Sequence, residues 1–409
     1  MNILHIVQGY SPALGGSEYR VQRVSELLVR EYGDRVTVVC PDGNCCDDFN
    51  LPERFRLPAG THFNNGVRIV RLPTLRSGSG LLDRAIRFAG DSEAAAHLRY
   101  VRFGPRMPAL LRHLLAGNWD VVMATTFPCL HMPVAAWLKP LAGYPLVLVG
   151  AYHDRHELHR HPYTWRFTRL ADAYVAHTPF ERDLAIRHGV APDKIEIIAA
   201  GADPEWTHQA DRDSARILFG VSGTVLLYAG QIIPGKGIET ILAAFPLLNP
   251  ETFTLIIAGS ANSPHTAQLR ALIAALPDRL RARIILRENF PDSEKALLFA
   301  AADIFIFPST IDSFGIVITE AWAAQLPVIA AAAPPQQSFM RDGRDSLLVP
   351  PENPAALADA ITRLHRQPAL GTALAAAGQE RVRREYNWSA ITAAYRALYS
   401  RLSTGRQHS

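Results

Sequence analysis

Cysteine is scarce: the 409-residue chain has four, Cys40, Cys45, Cys46 and Cys129. Their spacing is neither that of a metal-binding set nor that of a disulfide framework, so no structural metal and no covalent stapling is expected. No apolar run approaches the roughly 18 residues of a membrane-spanning helix. The N-terminus, MNILHIVQGY, runs straight into a strand-like segment without a basic leader or cleavage site. These absences point to a reduced, cytoplasmic, soluble protein. Charge of one sign is lacking too: the net value is +4, too mild to call for a nucleic-acid partner. The dinucleotide fingerprint G-x-G-x-x-G is missing, which argues against a nicotinamide enzyme.

What is there is the composition of an ordinary globular protein, 48% hydrophobic and 20% charged. At about 150 residues per domain the length gives two to three domains. In the first half, strands are expected at residues 2–7, 36–40, 121–124, 146–149, 174–176 and 194–199, with an amphipathic helix at 17–30 that aligns Val21, Val24, Leu27 and Leu28. Strands alternating with helices predict a doubly wound parallel sheet, and such sheets bind ligands beyond the carboxyl ends of their strands. Gly15-Gly16 and Ala151-Tyr152-His153-Asp154 stand at two such ends. Taken alone, the glycine pair is a tight turn and His153 a structural hydrogen-bonder.

Residues 72–117 read as irregular and arginine-rich, with Arg76, Arg84, Arg87, Arg99, Arg102, Arg106 and Arg112 among Phe88, Tyr100 and Phe103. Solvated helix faces explain this region, and so would contact with an anionic acceptor or with the inner membrane face. Residues 204–213 read as a linker.

The second half repeats the strand-turn-helix opening at 225–245, with the turn Gly230-Gln231-Ile232-Ile233-Pro234-Gly235-Lys236-Gly237. Further strands are expected at 253–258, 283–286, 304–307, 327–330 and 346–349. Helices are expected at 353–365, up to about 385, and at 388–402. Between the strands at 304–307 and 327–330 lie Asp312 and Glu320, eight positions apart, around Phe314-Gly315. With a helix starting near Phe314, Glu320 would lie roughly 12 Å along the axis from Asp312. Free N–H groups at that helix start would suit a diphosphate. Spacing alone is equally that of a βαβ unit with two solvated acids.

The run P-S-x-x-acid-x-F-G-x-x-x-x-E-A followed by L-P-V-I-A, together with G-x-x-x-x-x-K-G at 230–237, resembles the retaining glycosyltransferases of family 4. The resemblance covers nearly the whole chain. It implies an α/β protein of GT-B type, two doubly wound parallel-sheet (Rossmann-like) domains facing across a cleft. Residues 1–203 would be the acceptor-side domain, 204–385 the donor domain, and 386–409 a helix returning to the first domain. It implies transfer of a sugar from a nucleotide-sugar to an acceptor hydroxyl with retention, without metal or resident cofactor, in polysaccharide or glycolipid biosynthesis. The acceptor would be a glycan or a lipid-linked molecule. It assigns catalytic roles to His153, Lys236 and Asp312. It assigns donor binding to Gly15, Gly16, Gly230, Gln231, Asn289, Phe290, Phe314, Gly315, Ile316 and Glu320, with Glu320 on the ribose hydroxyls.

Several positions depart from the family pattern. Ala200 stands for Asn, Gln231 for Arg, Asp312 for Glu and Gln325 for Gly. Pro334-Pro335 replaces Gly-Gly, and Ser338 replaces Glu. Proline has no N–H to offer a phosphate, so altered or weak diphosphate binding is expected from this loop. The alternative is a catalytically impaired relative that binds a glycan or a partner enzyme. An epimerase or a pyridoxal-dependent phosphorylase on the same fold has no residue in its favour.

Overall fold

The computed structural model describes every residue except 13–14, 44–55, 76–78, 153–156, 208–209, 250, 262–263 and 406–409. His153, Asp154, Cys45, Cys46 and Arg76 therefore lie outside the described residues. The chain forms two compact units, one of Met1–Ala199 with Trp388–Ser409, the other of Ala200–Asn387. The boundary falls before residue 203 because the Ala202 N–H donates to the Tyr386 carbonyl at 2.8 Å and Ala202 bridges to Asn387.

The first unit holds an eight-stranded sheet in the order β3-β4-β2-β1-β5-β6-β7-β8. Its strands are β1 (Asn2–Ile6), β2 (Arg35–Pro41), β3 (Gly60–Asn64), β4 (Val67–Leu72), β5 (Val121–Thr125), β6 (Leu146–Val149), β7 (Ala173–Ala176) and β8 (Ile195–Ile197). β1, β5, β6 and β7 are buried almost throughout, as strands covered on both faces must be. The chain leaves β1 for β2 on one side and later enters β5 on the other, so the strand order reverses between β1 and β5.

The expectation of a purely parallel sheet fails at one edge. β3 pairs antiparallel with β4. The cause is a two-residue turn, Asn65-Gly66, with φ of 49° and 79°, the backbone that lets a hairpin follow the twist of its strands. Residues 72–117 are also more regular than expected and contain α2 (Ser79–Ala89), α3 (Glu93–Phe103) and α4 (Leu110–Ala116).

α1 (Gly16–Tyr32) buries Val21, Val24, Leu27 and Leu28, the predicted face, and stops at Gly33, whose φ of 64° closes the last turn on Leu28 and Val29. The helix Trp388–Gly405 belongs to this unit and packs beside α1. Trp388 meets Tyr19 edge-on at 5.7 Å, and Arg396 Nε pairs with Asp34 Oδ2 at 2.7 Å. Tyr399 hydrogen-bonds His5 at 3.1 Å in the core.

The second unit holds a six-stranded parallel sheet in the order β11-β10-β9-β12-β13-β14. The strands are β9 (Thr224–Ala229), β10 (Phe253–Gly259), β11 (Ile284–Glu288), β12 (Ile304–Phe307), β13 (Val328–Ala331) and β14 (Leu347–Val349). Here the order reverses between β9 and β12. Helices on one face of the sheet bury Leu226, Leu255, Ile257, Ile306 and Ile329, whose register places them together on that face. Fully buried Trp322 donates its indole N–H to the Asp345 carbonyl at 3.0 Å, and Arg381 pairs with Asp345 at 2.8 Å below its ring.

Candidate functional site

The reversal between β9 and β12 leaves the carboxyl ends of two neighbouring strands with their following loops going opposite ways, where a ligand can approach the backbone. The Gly230–Gly237 turn is one of these loops. The Gly230 N–H donates to the Ala258 carbonyl and that of Ile232 to the Ser260 carbonyl, both at 3.0 Å. A Cβ at Gly259 would lie 1.7 Å from the Gly230 oxygen, so this contact tolerates only glycine.

Gly235 and Gly237 have φ of 84° and 75°, and a Cβ on Gly237 would come within 2.4 Å of the Pro308 oxygen. The Thr310 N–H donates to the Gly235 carbonyl at 3.1 Å, tying the turn to the loop after β12. Lys236 is thereby held against that loop, and its Nζ lies 2.5 Å from Asp312 Oδ1. Residues 76 positions apart in sequence form one ion pair.

Beneath the turn, buried Tyr228 donates its hydroxyl to the Gln231 carbonyl at 2.8 Å. Burial, and then the nearby Asp312 carboxylate, push its phenol well above the usual value. Sequence reasoning missed Tyr228, which reads as an ordinary strand residue.

The helix after Asp312 runs Ile316–Ala323 and starts two residues later than expected. Gly315, with φ of 89°, turns the chain into it, and a Cβ there would strike the Phe307 ring at 2.6 Å. Between Asp312 and Glu320 only the stretch from Ile316 onward is helical, which puts Glu320 about 6 Å along the axis from the helix's first residue. No side chain caps the helix start, and of its first-turn amides the Ile318 N–H is taken by the Gly315 carbonyl at 2.9 Å.

Glu320 is nearly buried. One oxygen takes the Lys295 ammonium at 2.5 Å, and the other has no partner among the described residues. Lys295 in turn lies over the Trp206 ring at 5.6 Å, and Trp206 packs edge-on against Phe299. Lys295 was missed because one lysine in an amphipathic helix gives no signal until Glu320 is seen opposite it.

Of the remaining donor residues, Phe314 is buried and stacks on Phe339 at 4.6 Å, so its side chain serves the core. Ile316 is the first residue of the helix. Asn289, with φ of 49°, gives its N–H to the Gly259 carbonyl and accepts the Ala261 N–H, both at 2.9 Å. This fixes the β10 and β11 ends side by side, with Phe290 half-buried next to them. The Gln231 side chain is exposed.

Pro334 and Pro335 open a short helix, Pro334–Phe339. At that position the N–H is unpaired in any residue, so proline fits without loss of a helical bond. The Ser338 hydroxyl donates to the Pro335 carbonyl at 2.6 Å.

Gly15 and Gly16 lie in the other unit, at the start of α1. Gly15 is extended, and a Cβ there would lie 2.2 Å from the Glu18 carboxylate. Around them, at the carboxyl ends of β5 and β7, is a buried polar group that the sequence did not reveal. Arg20 donates to Thr125 Oγ1 at 2.9 Å and to His177 Nε2. Thr125 bonds Thr126, which donates to Ser17 at 2.9 Å.

His177 Nδ1 faces the Ile198 carbonyl at 3.0 Å, so Nδ1 carries the proton and Nε2 accepts. Burial first, then Arg20, drives its pKa far below the usual value. Glu181 accepts from the Tyr152 and His177 N–H groups and from the Tyr174 hydroxyl, and its burial raises its pKa. The result is a buried guanidinium hydrogen-bonded by a threonine hydroxyl and an imidazole nitrogen.

Comparison with known proteins agrees with this geometry. The family described as "Glycosyl transferases group 1" matches residues 223–367, and the "Glycosyl transferase 4-like domain" matches residues 15–201. A D-inositol 3-phosphate glycosyltransferase of Frankia alni is 32% identical over 226 residues, 53% of this chain and 55% of that protein. One from Streptomyces scabiei is 30% identical over 246 residues, 58% of this chain and 55% of that protein. The chain thus spans about half the length of the curated relatives it matches.

Among solved structures, sucrose-phosphate synthase from Thermosynechococcus elongatus superposes with a TM-score of 0.72 at 20% identity, covering 99% of each chain. Anabaena Alr3699/HepE in complex with UDP gives 0.71 at 19% identity, covering 98% of this chain and 100% of that one. With two α/β units of parallel-sheet type and both family descriptions matched, the chain belongs to the group 1 glycosyl transferases, family 4, on the GT-B fold.

Proposed function

We propose that this chain transfers a glycosyl group from a nucleotide-sugar to an acceptor hydroxyl with retention at the anomeric carbon. The observation that carries the reading is the Lys236–Asp312 pair, joined at 2.5 Å beside the strand reversal of the second unit. In support, the pair sets a cation and a carboxylate next to a helix start that has no side-chain cap.

In the reaction, the Lys236 ammonium exchanges Asp312 for the donor's diphosphate and stabilises the negative charge that grows as the bond from C1 to the diphosphate oxygen breaks. The first-turn amides after Gly315 share that charge. Asp312 then accepts from the sugar hydroxyls. Glu320, with one oxygen fixed by Lys295, offers the other to the ribose hydroxyls. Asn289 and Phe290 border the base.

No carboxylate serves as a covalent nucleophile, and no metal is assigned. The acceptor hydroxyl attacks C1 on the face from which the diphosphate leaves, and its proton passes to the departing phosphate oxygen. His153 is assigned to the sugar, and Gly15 and Gly16 to the phosphate and acceptor. Polysaccharide or glycolipid assembly on the cytoplasmic side is the proposed setting. The structures of Anabaena Alr3699/HepE with UDP and with UDP-glucose make uridine donors the first to try, and D-inositol 3-phosphate joins glycans and lipid-linked sugars among the acceptors.

The test is thermal unfolding of the purified protein with UDP, GDP, ADP and TDP and their sugar conjugates. A ligand at 100 times its Kd stabilises by about 2.7 kcal/mol. The reading predicts a shift for one nucleotide that Lys236→Ala and Glu320→Ala both lose. No shift at millimolar ligand turns the assignment to a binding protein that has lost catalysis.

A further inference from the structure

α2 has two unlike faces. Leu82, Ala85 and Ile86 are partly covered, and Asp83 on the same helix accepts Arg102 Nε of α3 at 3.0 Å. The opposite face carries Leu81, Arg84 and Phe88, at i, i+3 and i+7, one line along the helix. Leu81 is 76% exposed and Phe88 95%, the most exposed large apolar side chain among the described residues. Arg84 and Arg87 are exposed on this side and have no acidic partner among the described residues.

The acids of this region are already taken by other arginines. Asp83 holds Arg102, Asp91 and Glu157 face Arg99, and Glu93 holds Arg166. What remains outward is an apolar line flanked by two unneutralised guanidinium groups.

We infer that this face of α2 docks on a membrane surface rich in anionic lipid. Leu81 and Phe88 would enter the boundary between headgroups and acyl chains, and Arg84 and Arg87 would pair with lipid phosphates. A second copy of the chain fits worse, because a two-fold contact through this line sets its arginines against their own mates. No helix among the described residues is long and apolar enough to cross a membrane, so the contact is peripheral. The inference does not depend on the donor site.

The experiment is flotation of the full chain with vesicles of phosphatidylcholine, with and without phosphatidylglycerol. Binding is expected only with phosphatidylglycerol and should fall as salt rises. Arg84→Gln with Arg87→Gln should weaken it roughly thirtyfold, about fivefold per basic residue. Leu81→Ser with Phe88→Ser should abolish it. All four substitutions lie on the surface and should leave the unfolding temperature unchanged, which separates loss of docking from loss of fold. Equal binding to both vesicles, no binding, or a concentration-dependent dimer in sedimentation velocity that Phe88→Ser removes would overturn the inference.

Discussion

Replacing Asp312 by alanine should destabilise the second unit and yet spare or improve its hold on a nucleoside diphosphate. The Lys236 and Asp312 side chains are 13% and 19% exposed and 2.5 Å apart, so the pair is a largely desolvated, charge-assisted hydrogen bond. Removing one member leaves Lys236 unpaired, at a cost of about 1.5–3 kcal/mol. For a domain of this size that lowers Tm by roughly 3–12 °C. A diphosphate would then no longer compete with Asp312 for the ammonium, so its affinity should hold or rise by up to about tenfold. Lys236→Ala removes the same pair but also the diphosphate's cation, and its affinity should fall about 10–100-fold. Calorimetric unfolding and isothermal titration with the nucleotide identified by screening read both quantities. If Asp312→Ala weakens nucleotide binding as much as Lys236→Ala does, the exchange of partners proposed for Lys236 is wrong.

Three further outcomes are expected. Lys295→Met should reduce nucleotide affinity about 3–10-fold by freeing the Glu320 carboxylate to turn, and a 2′-deoxyribonucleotide should bind the variant and the wild type more nearly alike; an unchanged titration would remove Lys295 from the site. Gln325, exposed with φ of 57°, sits in a backbone that costs a side-chain-bearing residue about 1–2 kcal/mol, partly offset by glycine's extra freedom when unfolded, so Gln325→Gly should raise stability by about 0.5–1 kcal/mol, and a lower Tm would contradict this. Burial lowers His131 to about 4, so the folded state refuses a proton that the unfolded state takes, and stability present above pH 6.5 is lost as pH falls towards 4. The loss is about 3 kcal/mol, and urea titrations at pH 7 and 4 should show His131→Gln losing less by that amount, since its amide can still donate to the Thr125 carbonyl while the raised Glu18 and Glu181 stay common to both proteins.

The second unit was legible in the sequence because its strands are short apolar runs cut by Gly or Pro, and because φ-positive glycines must appear where turns close against neighbouring backbone. Residues 304–307 read as a strand for the first reason, and Gly235 and Gly237 marked their turn for the second. The Asn65-Gly66 hairpin carried its own signal, passed over beside the parallel pattern. What could not be read was pairing across long separations. Nothing at Lys295 announces Glu320, nothing at Arg20 announces His177 and Thr125, and an outward Phe88 looks like an inward one until the helix is placed. Pro334 and Pro335 begin a helix and cost it no internal bond, while the N–H groups that a phosphate would use are missing from both.

The most direct test of the central claim is proton NMR of the reaction mixture. Wild-type protein is incubated with the nucleotide-sugar chosen by the thermal screen and with candidate acceptors, and the anomeric signal of donor and product is followed over time. The account predicts a transferred sugar with the donor's anomeric configuration, formed by the wild type and not by Lys236→Ala. A product of inverted configuration, or no product and no nucleotide binding, would contradict it.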